Sequence, residues 1–91
     1  MIKLSGRLIC KNLDESALVQ RILPEHVRLT LEESGCISFQ VAATSDPLVW
    51  TVEELFTDQD TFAAHQARTK SSAWGTETRS ILREYEIVEI A

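Results

Sequence analysis

Glu54 and His65 are the side chains of this sequence best suited to moving a proton. Glu54 lies in LVWTVEELF, residues 48–56, a run of β-formers in which alternate positions share one face of a strand. That parity puts Glu54 beside Trp50, Val52 and Phe56 and turns Glu53 the other way. A carboxylate on an apolar face must find a partner or have its pKa raised. Either outcome suits Glu54 to orient a histidine or anchor a hydroxyl; the structural alternative is a buried pair with an arginine, for which Arg7 is the candidate. His65 follows Phe62 by about one helical turn, and an ordinary pKa of about 6.5 leaves much of it neutral at pH 7. It is therefore the best candidate base, set against a packing or capping role on the sheet. Trp50, Phe56, Phe62 and Trp74 either line a slot for a flat ring or fill the core. His26, among charged neighbours, is expected to be a solvated helix residue. Cys10 and Cys36 have no further Cys or His at ligand spacing, so they are expected to be buried packing residues rather than a metal or redox site.

Positioning these groups requires a strand, a helix and the rest of a small sheet. IKLSGRLICK, residues 2–11, alternates apolar and basic or small residues as a strand does, with Gly6 marking a bulge or close backbone approach. Asn12 with Glu15, or Asp14, can cap a helix running to about Ser34, with Leu18, Val19, Ile22, Leu23, Val27 and Leu31 as its apolar stripe. Pro24 kinks or splits that helix, and Gly35 ends it in left-handed geometry. Cys36–Ala43 is a second strand, TSDP a turn, and Leu48–Phe56 a third strand antiparallel to the second. Thr57 or Asp58 caps a helix through DQDTFAAHQAR, which a break around Thr69–Ser72 separates from a further helix carrying Trp74, Thr78 and Ile81. REYEIVEI, residues 83–90, closes as a fourth strand. The order β-α-β-β-α-β predicts an α+β fold with a four-stranded antiparallel sheet and helices on one face.

The chain has 91 residues, a length for one domain spanning 1–91. Its hydrophobic share of 44% and charged share of 25% are those of a globular protein. Nine Lys and Arg against fourteen Asp and Glu leave a net charge of −5 with no basic stripe, which argues against nucleic acid. No window approaches the roughly 18 apolar residues of a membrane span, and no leader pattern opens the chain, so a cytoplasmic location is expected. Neither parity of the third strand is uniformly polar. The sheet face without helices therefore needs a cover, and the simplest cover is a second copy of the chain, a homodimer.

The segment EELFTDQDTFAAH, Glu53 to His65, resembles the antibiotic biosynthesis monooxygenase family. Members carry a Glu, an aromatic two residues on, an acid, and then an aromatic or Ala and a His on the following helix; the matching positions are Glu54, Phe56, Asp58, Phe62 and His65. Glu33, Gly35, Cys36 and Phe39 are similar to the family's helix-to-strand junction, and Asp46 with Pro47 to its hairpin turn, so the resemblance covers almost the whole chain. It implies a ferredoxin-like domain whose two copies pack sheet to sheet into a dimeric α/β barrel. It also implies a monooxygenase acting on a quinol or related phenolic aromatic with dioxygen, with no metal or flavin cofactor. On that reading His65 and Glu54 are catalytic, and Trp50, Phe56, Phe62 and Trp74 bind the ring. Two positions depart from the pattern. Phe56 stands where the family usually has Trp, which removes an indole N–H. The haem-degrading branch uses an Asn on the first strand, and Leu4–Leu8 has none. Two alternatives stay open: a non-catalytic dimeric binding module for a small hydrophobic metabolite, and a haem-degrading oxygenase.

Overall fold

Four runs with period-two alternation pair into one antiparallel sheet in the order β2-β3-β1-β4, in a computed structural model that describes residues Met1–Ala91. The strands are β1 (Ile2–Ile9), β2 (Cys36–Ala43), β3 (Val49–Phe56) and β4 (Leu82–Glu89), and the helices are α1 (Leu13–Leu31), α2 (Gln59–Ser71) and α3 (Ala73–Glu77). This is the expected β-α-β-β-α-β arrangement, a ferredoxin-like α+β fold, with α3 added before the last strand. The register pairs Leu4 with Glu54 and Leu8 with Trp50, so the even positions of β1 and β3 share one face. On that face Leu4, Leu8, Val52 and Phe56 are buried, and with Val19, Phe62 and Ile81 they form the core beneath the helices. The other face carries Lys3, Arg7, Glu53, Leu55, Glu84 and Val88 and has no helix over it.

Local chemistry sets the element ends. The Asn12 side chain accepts a hydrogen bond from the Glu15 N–H, and Glu15 accepts one from the Lys11 N–H, which satisfies donors that the first turn of α1 leaves free. Asp58 caps α2 by accepting from the Thr61 N–H within a capping box. Pro24 does not split α1: it sits exposed inside a helix that continues to Leu31. Gly35, at φ +86°, makes the left-handed turn that reverses the chain from α1 into β2.

The inward face of α1 differs from the expected stripe. Leu31 is 57% exposed, while Val19, His26 and Thr30 are the buried residues. The stripe therefore turns polar in its C-terminal half. His26 is 4% exposed, which corrects its reading as a solvated residue: its ring stacks on Trp74 with centroids 4.6 Å apart and planes 2° from parallel, and Phe39 meets it edge-on. Cys10 is buried as expected, whereas Cys36 is only half-buried at the edge of the core. The helix expected around Trp74, Thr78 and Ile81 is only the five residues of α3; Thr78 and Ile81 lie in the turn beyond it. No helix is long and apolar enough to cross a membrane.

Candidate active site

Only 16 of 91 residues are buried, and five of those are polar: His26, Thr30, Glu54, His65 and Thr78. In a core this small, polar groups that cost free energy to desolvate need a reason to be there. Three of them, His26, Glu54 and His65, line one cavity of about 420 Å³ between the sheet and the C-terminal helices. Gln66, Thr69, Lys70, Trp74, Gly75, Arg79, Arg83 and Tyr85 complete its wall.

β3 and α2 supply the centre of the site. The alternation of β3 points Glu54 inward from the middle of the sheet, leaving it 7% exposed. The Asp58 cap fixes the start of α2, and one turn after buried Phe62 the same helical face delivers His65, which is 1% exposed. Its Nδ1 lies 2.7 Å from Glu33 Oε1, and its Nε2 faces Glu54 Oε1 at 3.5 Å. Glu33 sits just before the Gly35 turn and is gripped by Arg68, whose Nε donates to Oε2 at 3.1 Å and whose second amino group donates to Oε1 at 2.9 Å. The same amino group of Arg68 donates to the Thr30 hydroxyl. Arg68, Glu33, His65 and Glu54 thus form a chain of charges and hydrogen bonds from the outer helix surface to the cavity.

Electrostatics gives each member a different state. Burial alone would raise the Glu33 pKa, but hydrogen bonds from Arg68 and His65 outweigh it and hold the carboxyl below its usual range. An ionised Glu33 accepts the Nδ1 proton of His65 and so leaves Nε2 as the ring's lone-pair side. Burial lowers the His65 pKa against the opposing pull of Glu33, which favours the neutral ring. Glu54 has no cation beside it: burial, then the negative Glu33 nearby, push its pKa up to about 7. Its Oε1 is buried and without a hydrogen-bond partner. Burial, then the charge of Arg68, push His26 down to about 3, so it serves as a neutral stacking surface. Burial also raises the Tyr85 phenol, which stays a hydrogen-bond donor at neutral pH.

The arginine suggested as a partner for Glu54 is not there. Arg7 points to the opposite sheet face, where it pairs with Glu84. Of the four aromatics singled out, Trp74 lines the cavity with Glu54 and His65, while Phe56 packs 4.8 Å from the His65 ring and Phe62 packs behind Phe56, both in the core. Trp50 lies apart, its indole N–H donating to the Ser16 hydroxyl. Glu33 and Arg68 were recognisable only as a junction residue and a last-turn base. Arg68 lies three residues after His65, a spacing that puts both on one helix face. Tyr85 reaches the site because its strand partner is Gly6, where a Cβ would collide with the Glu84 carbonyl oxygen and lie 2.8 Å from the Tyr85 ring.

The sequence pattern of the antibiotic biosynthesis monooxygenase family matches residues 12–76, a span that includes Glu33, Glu54, His65, Arg68 and Trp74. No curated protein matches the chain in sequence. Among solved structures, a variant of SnoaB, a cofactor-independent oxygenase from Streptomyces nogalater, is 13% identical over 98% of this chain and 91% of that chain, with a TM-score of 0.79. NE2512 of Nitrosomonas europaea, a protein of unknown function, is 22% identical over 98% of this chain and 87% of that chain, also at a TM-score of 0.79. A proposed antibiotic biosynthesis monooxygenase from Deinococcus radiodurans is 16% identical over 100% of this chain and 93% of that chain, at a TM-score of 0.77. At such identities the structural likeness carries the fold, whereas the sequence match reaches across most of the chain: the protein belongs to the antibiotic biosynthesis monooxygenase family.

Proposed function

We propose that the protein is a cofactor-independent monooxygenase that oxidises a quinol or related phenolic aromatic with dioxygen. The observation that carries this reading is Glu54: a buried carboxyl group that lines a ligand-sized cavity, has no hydrogen-bond partner for its Oε1 and has its pKa raised to about 7. A general base works best with a pKa near the operating pH. Glu54 takes the proton of a substrate hydroxyl, and the lone pair of His65 Nε2, 3.5 Å behind it, stabilises or receives that proton. Glu33 and Arg68 hold His65 in the required tautomer and orientation, which makes them positioning residues. The phenolate so formed is electron-rich enough to reduce dioxygen. The substrate supplies all four electrons that dioxygen takes up: hydroquinone plus dioxygen gives hydroxyquinone plus water, one oxygen atom entering the ring and the other leaving in water. Trp74, backed by His26, offers the stacking surface for that ring. Burial of His65 between two carboxylates gives it no open ring nitrogen for an iron, which favours this reading over haem degradation.

The reading includes a cytoplasmic homodimer in which two copies of the domain meet through the sheet face without helices. Val88 and Leu82 on that face are 38% and 58% exposed, which supports a cover there.

Oxygen uptake with menadiol, gentisate and methyl gentisate as hydroquinone probes tests the chemistry. With at least one of them, uptake should exceed the spontaneous rate, rise with pH through about 7 as Glu54 ionises, and fall about 100-fold in Glu54→Gln. Uptake equal to the no-enzyme control with all three favours the binding module instead, and uptake above that control but unaffected by Glu54→Gln removes Glu54 as the base.

A further inference from the structure

The protein carries a net charge of −5, yet its cavity is cationic. Of the nine Lys and Arg residues, Arg7, Lys11, Arg28 and Arg68 each lie within ion-pair distance of a carboxylate. Lys3, Arg21, Lys70, Arg79 and Arg83 do not, and the last three line this cavity. The only carboxylate in the wall is Glu54, which is half protonated near pH 7. Arg83 is held in place by neutral oxygens: one of its amino groups donates to the carbonyls of Thr78 and Ile81 and the other to the Thr78 hydroxyl. Its position is thus fixed without its charge being neutralised. Lys70 and Arg79 are exposed at the mouth. Acidic side chains elsewhere outnumber basic ones, so an unpaired group of three cations here is a local reversal of the surface charge.

We infer that the substrate of this site carries a permanent acidic group, a carboxylate or its equivalent, in addition to the hydroxyl that reacts. The acidic group sits at the mouth against Lys70 and Arg79, the ring lies along Trp74, and the reacting hydroxyl reaches Glu54 at the inner end. The cations draw an anion in, and they also favour the phenolate once it forms. This rests on the reading that the aromatic ring binds in this cavity.

The acid gentisate and its methyl ester share one hydroquinone ring and differ only in the charged group. Calorimetric titration of the whole protein without oxygen should show gentisate binding about tenfold more tightly than methyl gentisate at low salt, with the difference shrinking as ionic strength rises and screens the mouth. In the double variant Lys70→Gln, Arg79→Gln, whose side chains are exposed and which leaves Arg83 in place, the two ligands should bind within about twofold of each other. Equal or tighter binding of the ester by the unaltered protein overturns the inference, as does failure of gentisate to bind at millimolar concentration. The oxygenase reading fails separately: gentisate held selectively but never oxidised removes the chemistry and keeps the acidic ligand. Oxidation of the ester at least as efficient as that of the acid removes the acidic ligand and keeps the chemistry.

Discussion

Burial that gives Glu54 a pKa of about 7 must also appear in the pH dependence of folding. The unfolded carboxyl titrates near 4.5 and the folded one about 7, so between those values the native state keeps a proton that the unfolded chain releases. Stability therefore falls as pH rises through this window, and the loss is complete above it. Glu54→Gln, which keeps the shape without the charge, should unfold at higher urea concentration than the unaltered protein at pH 8, by about 2–3 kcal/mol, and show no advantage below pH 4.5. Loss of activity with gain of stability separates a functional carboxylate from a structural one. His26 has the opposite sign: folded pKa about 3 against 6.5, so its contribution is intact above 6.5 and is lost as pH falls towards 3. Glu54 and His65 were legible in the sequence because strand parity and helical spacing are local rules. Glu33, Arg68 and His26 were not, because their meeting depends on how far α1 is rotated over the sheet, which no local pattern specifies.

Among the elements, the junction between α1 and β2 bears most directly on the site, since it holds Glu33 in reach of His65 and Arg68. Gly35 makes the junction with φ +86°, and a Cβ there would press into the Thr61 side chain on α2. Gly35→Ala should cost about 1–2 kcal/mol from backbone geometry alone, read by urea denaturation, with further loss from the Thr61 collision. A cost near zero would show that the turn relaxes freely. Strand and helix order follows from alternation and caps in the sequence, and Asn12, Gly35 and Asp58 act as the caps and turn their types suggest. Pro24 and the segment after Ser72 follow tertiary context instead: an exposed proline is tolerated within a long packed helix, and α3 stops after five residues, where Arg83 takes the carbonyls of Thr78 and Ile81.

For the whole molecule, the covered and bare faces of the sheet divide the labour. The helix side holds the cavity, and the other side holds Leu55, Leu82 and Val88 among charges of both signs. Sedimentation at micromolar concentration should give a species of roughly twice the 10.3 kDa chain, and Leu55→Asp should drive it to monomer; a compact species of a single chain before any substitution would refute the pairing.

The wall of the cavity is assembled from well-separated parts of the chain. Glu54, His65, Lys70 and Trp74 come from β3, α2 and α3, whereas Arg79, Arg83 and Tyr85 come from the last turn and from β4, an edge strand with β1 as its single neighbour. Substitution of Arg79, exposed on the turn before β4, changes the charge of the wall without altering β3 or α2, the elements that hold Glu54 and His65.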